Sequence, residues 1–177
     1  RARDFAIAAH GFQSYGGRPY AFHLDQVAAK VRERGRLFET IAYLHDVLED
    51  TGVDRGDIER AFGPQVARCV ATISDPENRS REERKAIINR QLAAVRESGP
   101  EWPALVVKVA DRLCNITMCE IDGRADLLVR YGKEHSEFRA AAWRPVFRES
   151  FAQMEAVLAR HAAGGDDDDS DEGGSPT

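Results

Sequence analysis

The six residues His45-Asp46-Val47-Leu48-Glu49-Asp50 put four ionisable side chains at the end of the apolar run Ile41-Ala-Tyr-Leu, and no ordinary core accepts them uncompensated. On a helix turning about 100° per residue, His45 and Glu49 share one stripe, and Asp46 and Asp50 share the neighbouring one. Leu44, Val47 and Leu48 call for burial of the same segment. Taking charges out of water costs several kcal/mol per ion unless something offsets it. A bound divalent cation is the economical offset, and it obliges the rest of the chain to bring further ligands to this segment.

The remaining sequence reads as one helical domain. Periodicity of the helical kind dominates and no alternating run of useful length suggests a strand, so the spacing predicts an all-α fold. Helices are expected over 2–12, 24–34, 36–50, 55–62, 64–73, 80–97, 103–120, 124–132 and 136–161. Asp54 with Asp57, the Gly63-Pro64 pair, and Gly99-Pro100-Glu101-Trp102-Pro103 mark boundaries. Ser14-Tyr15-Gly16-Gly17-Arg18-Pro19-Tyr20 is a loop with special backbone geometry, of the sort that carries binding groups. With 177 residues and 42% hydrophobic content, the chain supports one domain over 1–162. The segment 163–177 holds Asp166, Asp167, Asp168, Asp169, Asp171 and Glu172 without an apolar anchor and is expected to be a disordered acidic tail. Without those six acids the formal charge of −5 becomes +1. Cys69, Cys114 and Cys119 form no C-x-x-C pair, which fits a reducing cytoplasm. Neither a membrane span nor a secretion signal is visible.

A hydrolytic divalent ion needs about four nitrogen and oxygen ligands with positions left for water and substrate. His45 and Asp46 supply two. Of the other histidines, His10, His23, His135 and His161, the better candidate is His23, which follows the glycine loop and opens a helix. Asp111 interrupts the apolar run Lys108-Val-Ala-Asp111-Arg112-Leu-Cys-Asn115 and would be a costly buried charge without a cation.

Four elements, Gly17-Arg-Pro-Tyr-Ala-Phe-His23, His45-Asp-Val-Leu-Glu-Asp-Thr51, Phe62-Gly63 with Val66-Ala67, and Lys108 to Asn115, resemble in order and spacing the HD-superfamily hydrolase domain of Rel/Spo-type alarmone enzymes and their small single-domain relatives. The likeness covers most of residues 3–120. It implies an HD-domain helical bundle with one buried manganese ion held by His23, His45, Asp46 and Asp111, and an attacking water served by Glu49 and Asp50. It also implies hydrolysis of a nucleotide phosphate ester, in alarmone hydrolases the release of pyrophosphate from the 3′ position of (p)ppGpp. Lys85 matches a phosphate-binding lysine, Arg84 and Arg112 are neighbouring candidates, Arg130 is a further one, and Asn115 matches a residue that helps bind the nucleoside. Ser14 and Tyr15 stand where the alarmone hydrolases carry a guanine-holding Arg-Lys pair, and Leu24 replaces a proline.

Other features have plainer readings. Tyr20 and Phe22 suit core packing beside the ligand, His10 a hydrogen-bonded packing role, and His135 and His161 solvent. Arg112 suits a structural ion pair. The stretch Arg79 to Lys85 includes Glu82 and Glu83, so it is no nucleic-acid footprint. The sequence thus points to a metal-dependent phosphohydrolase acting on a small nucleotide. Loss of the Arg-Lys pair favours a 5′-nucleotide or NADPH-like phosphatase, with (p)ppGpp 3′-pyrophosphohydrolase as the alternative. A catalytically silent nucleotide sensor is the rival from another class, and it would predict a damaged Glu49-Asp50 pair.

Overall fold

A computed structural model describes residues 1–76 and 78–162; the expected acidic tail lies outside the described residues. The elements in chain order are α1 (Ala2–His10), a hairpin of β1 (Ser14–Tyr15) and β2 (Arg18–Pro19), α2 (Ala21–Val31), α3 (Arg36–Leu44), α4 (Val47–Asp50) and α5 (Arg55–Phe62). They continue with α6 (Pro64–Ile73), α7 (Arg81–Ala94), α8 (Trp102–Ile121), α9 (Ala125–Ala142) and α10 (Arg148–Ala162). The fold is the all-α bundle that the periodicity predicts, with α8 as its axis. This helix is apolar almost all round and touches α2, α3, α6, α9 and α10. A helix hydrophobic on every side must be surrounded by others. The core around it includes Leu24, Ile41, Leu44, Ile73, Leu105, Ile116, Phe151 and Met154, all essentially inaccessible to solvent.

Local chemistry sets the element ends. Asp54 caps α5 and Ser80 caps α7, each in a reciprocal box with the residue three positions on, Asp57 and Glu83. Pro64 and Pro103 open α6 and α8 in their first turns, where no amide donor is lost. The guanidinium of Arg144 donates to the carbonyls of Val95 at 3.0 Å and Ala141 at 3.1 Å, covering the ends of α7 and α9 together.

Three departures from the sequence reading bear on the site. The helix expected over 36–50 is interrupted at His45-Asp46, where the backbone remains α-like (φ −61°, ψ −31°, then φ −102°, ψ −5°) but helical hydrogen bonding lapses before α4 begins. Successive side chains of a regular helix diverge, so a turn here is what lets two neighbours aim at one point. The glycine loop is a short antiparallel hairpin with Ser14 opposite Pro19 and Tyr15 opposite Arg18. Gly16 and Gly17 turn it with φ of 55° and 78°, the left-handed pair that a two-residue hairpin turn requires. The break expected near 132–136 falls instead at 143–147. Gly132 is carried inside α9, whereas Pro145 forces Arg144 into extended backbone (φ −140°, ψ 155°) and ends the helix.

Removing the α7 cap by Ser80→Ala should lower stability by about 1 kcal/mol, seen as a fall of about 2–4 °C in Tm. An unchanged Tm would mean that the box contributes nothing to holding α7.

Candidate metal centre and its cavity

His23 enters from the first turn of α2, His45 and Asp46 from the turn between α3 and α4, and Asp111 from the middle of α8. Their polar atoms converge. His45 Nε2 lies 3.0 Å from Asp46 Oδ2 and 3.5 Å from Asp111 Oδ1. His23 Nε2 lies 3.6 Å from Asp46 Oδ2, 3.3 Å from Asp111 Oδ1 and 3.2 Å from His45 Nε2. Ligands about 2.1 Å from a common ion are separated by edges of about 3.0 to 3.4 Å in octahedral or tetrahedral geometry, so the spacing matches a shared cation. His23, His45 and Asp111 each bring one ligand atom within 4.8 Å of the other two, and all three are buried. Asp46 Oδ2 also accepts from the Tyr20 hydroxyl at 2.7 Å.

The donor chemistry fits a divalent ion. His45 Nδ1 donates to the Ala42 carbonyl at 2.7 Å, which fixes the ring and aims Nε2 at the cluster. Without a cation that nitrogen carries a proton. Burial, the largest influence, works against the charge, but Asp46 and Asp111 outweigh it and raise the His45 pKa well above the ordinary imidazole range. Burial also opposes ionisation of both carboxylates and is also outweighed. Asp46 is held low by His45, and Asp111 by Lys108 and the two imidazoles. Lys108, one turn before Asp111, sits 3.2 Å from Asp111 Oδ2. Its own pKa is raised, since Asp111 and Glu49 outweigh the burial that would lower it.

His23, Asp46 and Asp111 lie in the wall of a cavity of about 250 Å³ that also takes in Glu49, Tyr15, Asn115, Asp75, Glu134 and a row of cations. Glu49 Oε1 is buried without a hydrogen-bond partner. Burial is the main cause of a raised Glu49 pKa, while nearby Lys108 pulls it down. Asp50 lies outside the cavity lining; its side chain accepts from the Tyr20 hydroxyl at 2.9 Å, so one phenol bridges Asp46 and Asp50. Tyr15 stacks on His23 and donates to Asn115 Oδ1 at 2.7 Å. Both are in the wall, and burial raises the Tyr15 pKa, so the phenol remains protonated. Arg84 and Lys85 also line the cavity, and both pair with Asp75, the lysine at 2.9 Å and the arginine at 3.3 Å. Ser14 and Arg130 are exposed and do not line it.

Several lining residues escaped the sequence reading. Lys108 could have been found, since a lysine three positions before a buried aspartate on an apolar helix needs that partner. Asp75, Arg81, Tyr131 and Glu134 carry no sequence signal, because separate segments bring them together. Arg112 makes the ion pair expected of it, at 3.1 Å to Glu134, and does so inside the cavity between the rings of Tyr131 and Phe138. Tyr20 packs edge to face beside His23 as expected, but it also stacks on His10 and its hydroxyl lies within hydrogen-bond distance of both aspartates. His135 is largely covered, 3.4 Å from Glu155, rather than facing solvent.

Fold and site together define the class of HD-type, metal-dependent hydrolase domains. The chain belongs to the HD domain family, whose model matches residues 2–134. It is 35% identical over 119 residues to the guanosine-3′,5′-bis(diphosphate) 3′-pyrophosphohydrolase of Aquifex aeolicus, covering 66% of this chain and 17% of that protein. It is 33% identical over 122 residues to the human guanosine-3′,5′-bis(diphosphate) 3′-pyrophosphohydrolase, covering 65% of each. The matched stretch is thus about a sixth of the long bacterial relative and about two thirds of the short human one. Among solved structures, a metazoan ortholog of SpoT described as hydrolysing ppGpp superposes with a TM-score of 0.72 at 21% identity, covering 90% of this chain and 92% of that one. A Listeria monocytogenes protein superposes at 0.63 with 26% identity, covering 81% and 98%.

A raised His45 pKa contributes stability to the metal-free protein that is complete below the ordinary imidazole value and is lost as pH rises through the raised one. A cation must displace that proton, so its affinity should rise with pH, by about tenfold per unit for one proton. Calorimetric titration with manganese between about pH 6 and pH 8 should show this slope. His45→Ala should abolish binding. A pH-independent affinity would mean that His45 carries no displaceable proton.

Proposed function

We propose that the chain is a manganese-dependent 3′-pyrophosphohydrolase of the (p)ppGpp type. The observation that carries this reading is the cavity itself: its wall holds His23, Asp46, Asp111 and Glu49, with His45 buried against them, while Arg81, Arg84, Lys85, Lys108 and Arg112 supply cations for a multiply phosphorylated nucleotide. The named activities of the Aquifex and human relatives favour it over the 5′-nucleotide or NADPH-like phosphatase that Ser14 and Tyr15 suggested. That order of preference is reversed here.

A divalent ion held by His23, His45, Asp46 and Asp111 would polarise a phosphoryl oxygen and acidify the attacking water. Glu49 takes the proton of that water, its unpartnered Oε1 being the available acceptor. The bond between phosphorus and the ribose 3′ oxygen breaks, one water is consumed, and pyrophosphate leaves while the 3′ oxygen is protonated. Asp50 supports this from outside the cavity by sharing the Tyr20 hydroxyl with Asp46. Lys85 and Arg84 receive phosphate by exchanging their bonds to Asp75. Tyr15 and Asn115 form the nucleoside end. Lys85 is partly desolvated, and burial with neighbouring Lys108 lowers its pKa, so a substrate phosphate would restore its preference for the charged form. The row of cations faces this cavity, so a small phosphorylated ligand rather than a nucleic acid is the proposed partner. None of the described helices is long and apolar enough to cross a membrane. The three cysteines are free and buried, which suits the proposed cytoplasmic location.

The test is product release by the manganese-loaded protein from ppGpp, NADPH and 5′-nucleotides. Pyrophosphate from ppGpp is expected, with Glu49→Gln losing about a hundredfold or more in kcat while still binding manganese. Orthophosphate from NADPH or a 5′-nucleotide alone would return the preference to a phosphatase. Nucleotide-dependent stabilisation without any turnover would favour the sensor. Lys85→Ala should raise KM more than it lowers kcat, and the reverse would move the lysine from binding to chemistry.

A further inference from the structure

The β1–β2 hairpin reaches two of the candidate ligands through one side chain. The ring of Tyr15 lies face to face with that of His23, with centroids 4.5 Å and planes 20° apart. Its hydroxyl donates to Asn115 Oδ1 at 2.7 Å, and Asn115 Nδ2 donates to Asp111 Oδ1 at 2.6 Å. That aspartate oxygen is the one facing both imidazoles, 3.3 Å from His23 Nε2 and 3.5 Å from His45 Nε2. Chemistry fixes the direction of the chain of bonds. A carboxylate only accepts, so Asn115 must turn its amide hydrogens to Asp111 and its oxygen outward, which leaves the phenol as donor.

We propose that Tyr15 is a positioning residue of the metal centre: its hydroxyl, through Asn115, sets the orientation of Asp111, and its ring sets that of His23. This rests on the reading of the cluster as a divalent-metal site. Without the hydroxyl, the Asn115 oxygen loses its donor and the amide is anchored only by its bond to Asp111, so the pair is free to shift together and the carboxylate is less firmly aimed. Groups that orient metal ligands in this way typically contribute 10- to 100-fold in affinity.

The hairpin is built to deliver the phenol. Arg18 forks onto Asp122, the residue following α8, with both bonds at 2.9 Å, and lies 5.0 Å from the centroid of the Phe22 ring. Gly16 has φ +55°, and a Cβ there would stand 2.6 Å from Asp122 Oδ2. The turn therefore approaches the end of α8 as closely as it does only because residue 16 is glycine. Tyr15 is thereby held from both ends.

The test counts free manganese by its electron paramagnetic resonance signal during titration of the wild type, Tyr15→Phe, Asn115→Ala and the double variant. Tyr15→Phe retains the ring and loses only the donor. We expect about a tenfold weaker manganese Kd for Tyr15→Phe, and no further weakening when it is added to Asn115→Ala, since both interrupt one chain of bonds. At saturating manganese, Tyr15→Phe should recover more of the wild-type kcat than it shows at limiting manganese. A wild-type manganese Kd in Tyr15→Phe overturns the proposal, as do strictly additive effects of the two substitutions. So does a raised KM at saturating metal with unaltered metal affinity, which would make the hydroxyl a substrate contact. If the wild type itself binds no divalent ion, the metal reading falls first and this proposal with it, which separates the two failures.

Discussion

The structure depends on a carboxylate in the wrong place. Asp111 sits in the middle of the most apolar helix of the bundle, and a lone ionised aspartate there would be intolerable. The surrounding helices are arranged to answer it. Lys108 compensates from the same helix, His23 from α2 and His45 from the α3–α4 turn. The His45 proton shows how the metal-free protein remains near neutrality. Two carboxylates, one ammonium and one imidazolium balance, with both His45 nitrogens placed to donate, Nδ1 to Ala42 and Nε2 to Asp46. A divalent cation replaces that proton and leaves one surplus positive charge, which Glu49 offsets when ionised.

The same economy governs the cavity. Its cations do not wait unpaired: Asp75 holds Arg84 and Lys85, and Glu134 holds Arg81 and Arg112. Each of these cations is ion-paired with a carboxylate, although Arg84 Nε and Arg112 Nε are buried without a hydrogen-bond partner among the described residues. An anion gains affinity there only by exceeding what Asp75 or Glu134 already supplies. This favours substrates with several phosphate oxygens over those with one carboxylate or a single phosphate. Glu49 makes no such ion pair, and its Oε1 has no hydrogen-bond partner among the described residues, which suits the role in water activation proposed for it.

How much of this was legible in the sequence follows from where each signal resides. His45, Asp46 and Asp111 could be picked out as candidates because each is an ionisable residue beside apolar neighbours, and His23 because it follows the glycine loop and opens a helix; both kinds of signal are local. The caps of α5 and α7 were equally local, although Ser80 with Glu83 went unremarked where Asp54 with Asp57 did not. The interruption at His45-Asp46 was not legible, since both residues keep α-like backbone and nothing in Leu44 to Val47 breaks a helix. It is imposed by the convergence of two adjacent side chains on one centre. Continuation of α9 through Gly132 was hidden for the opposite reason, a weak local penalty of about 1 kcal/mol overridden by packing. Asp75 and Glu134 belong to pairings between α7, α9 and the segment after α6, and no spacing announces such pairs.

The replacement at Ser14 and Tyr15 shows why a missing motif is weak evidence about substrate. Read from sequence, the loss of two cations seemed to free the nucleoside end for another ligand. In the folded chain Ser14 points away from the cavity lining, and the Tyr15 hydroxyl is bonded to Asn115, which is bonded to Asp111. The position is filled rather than vacated. What changes at that end is charge, whereas the ligand cluster and the phosphate-facing cations remain together. The proposed catalysis would depend on those retained groups, and a base held against a phenol ring would gain stacking where it loses ion-dipole contacts. The departure thus alters how tightly and selectively a base is held, and it leaves intact the chemistry that cleaves the phosphate ester.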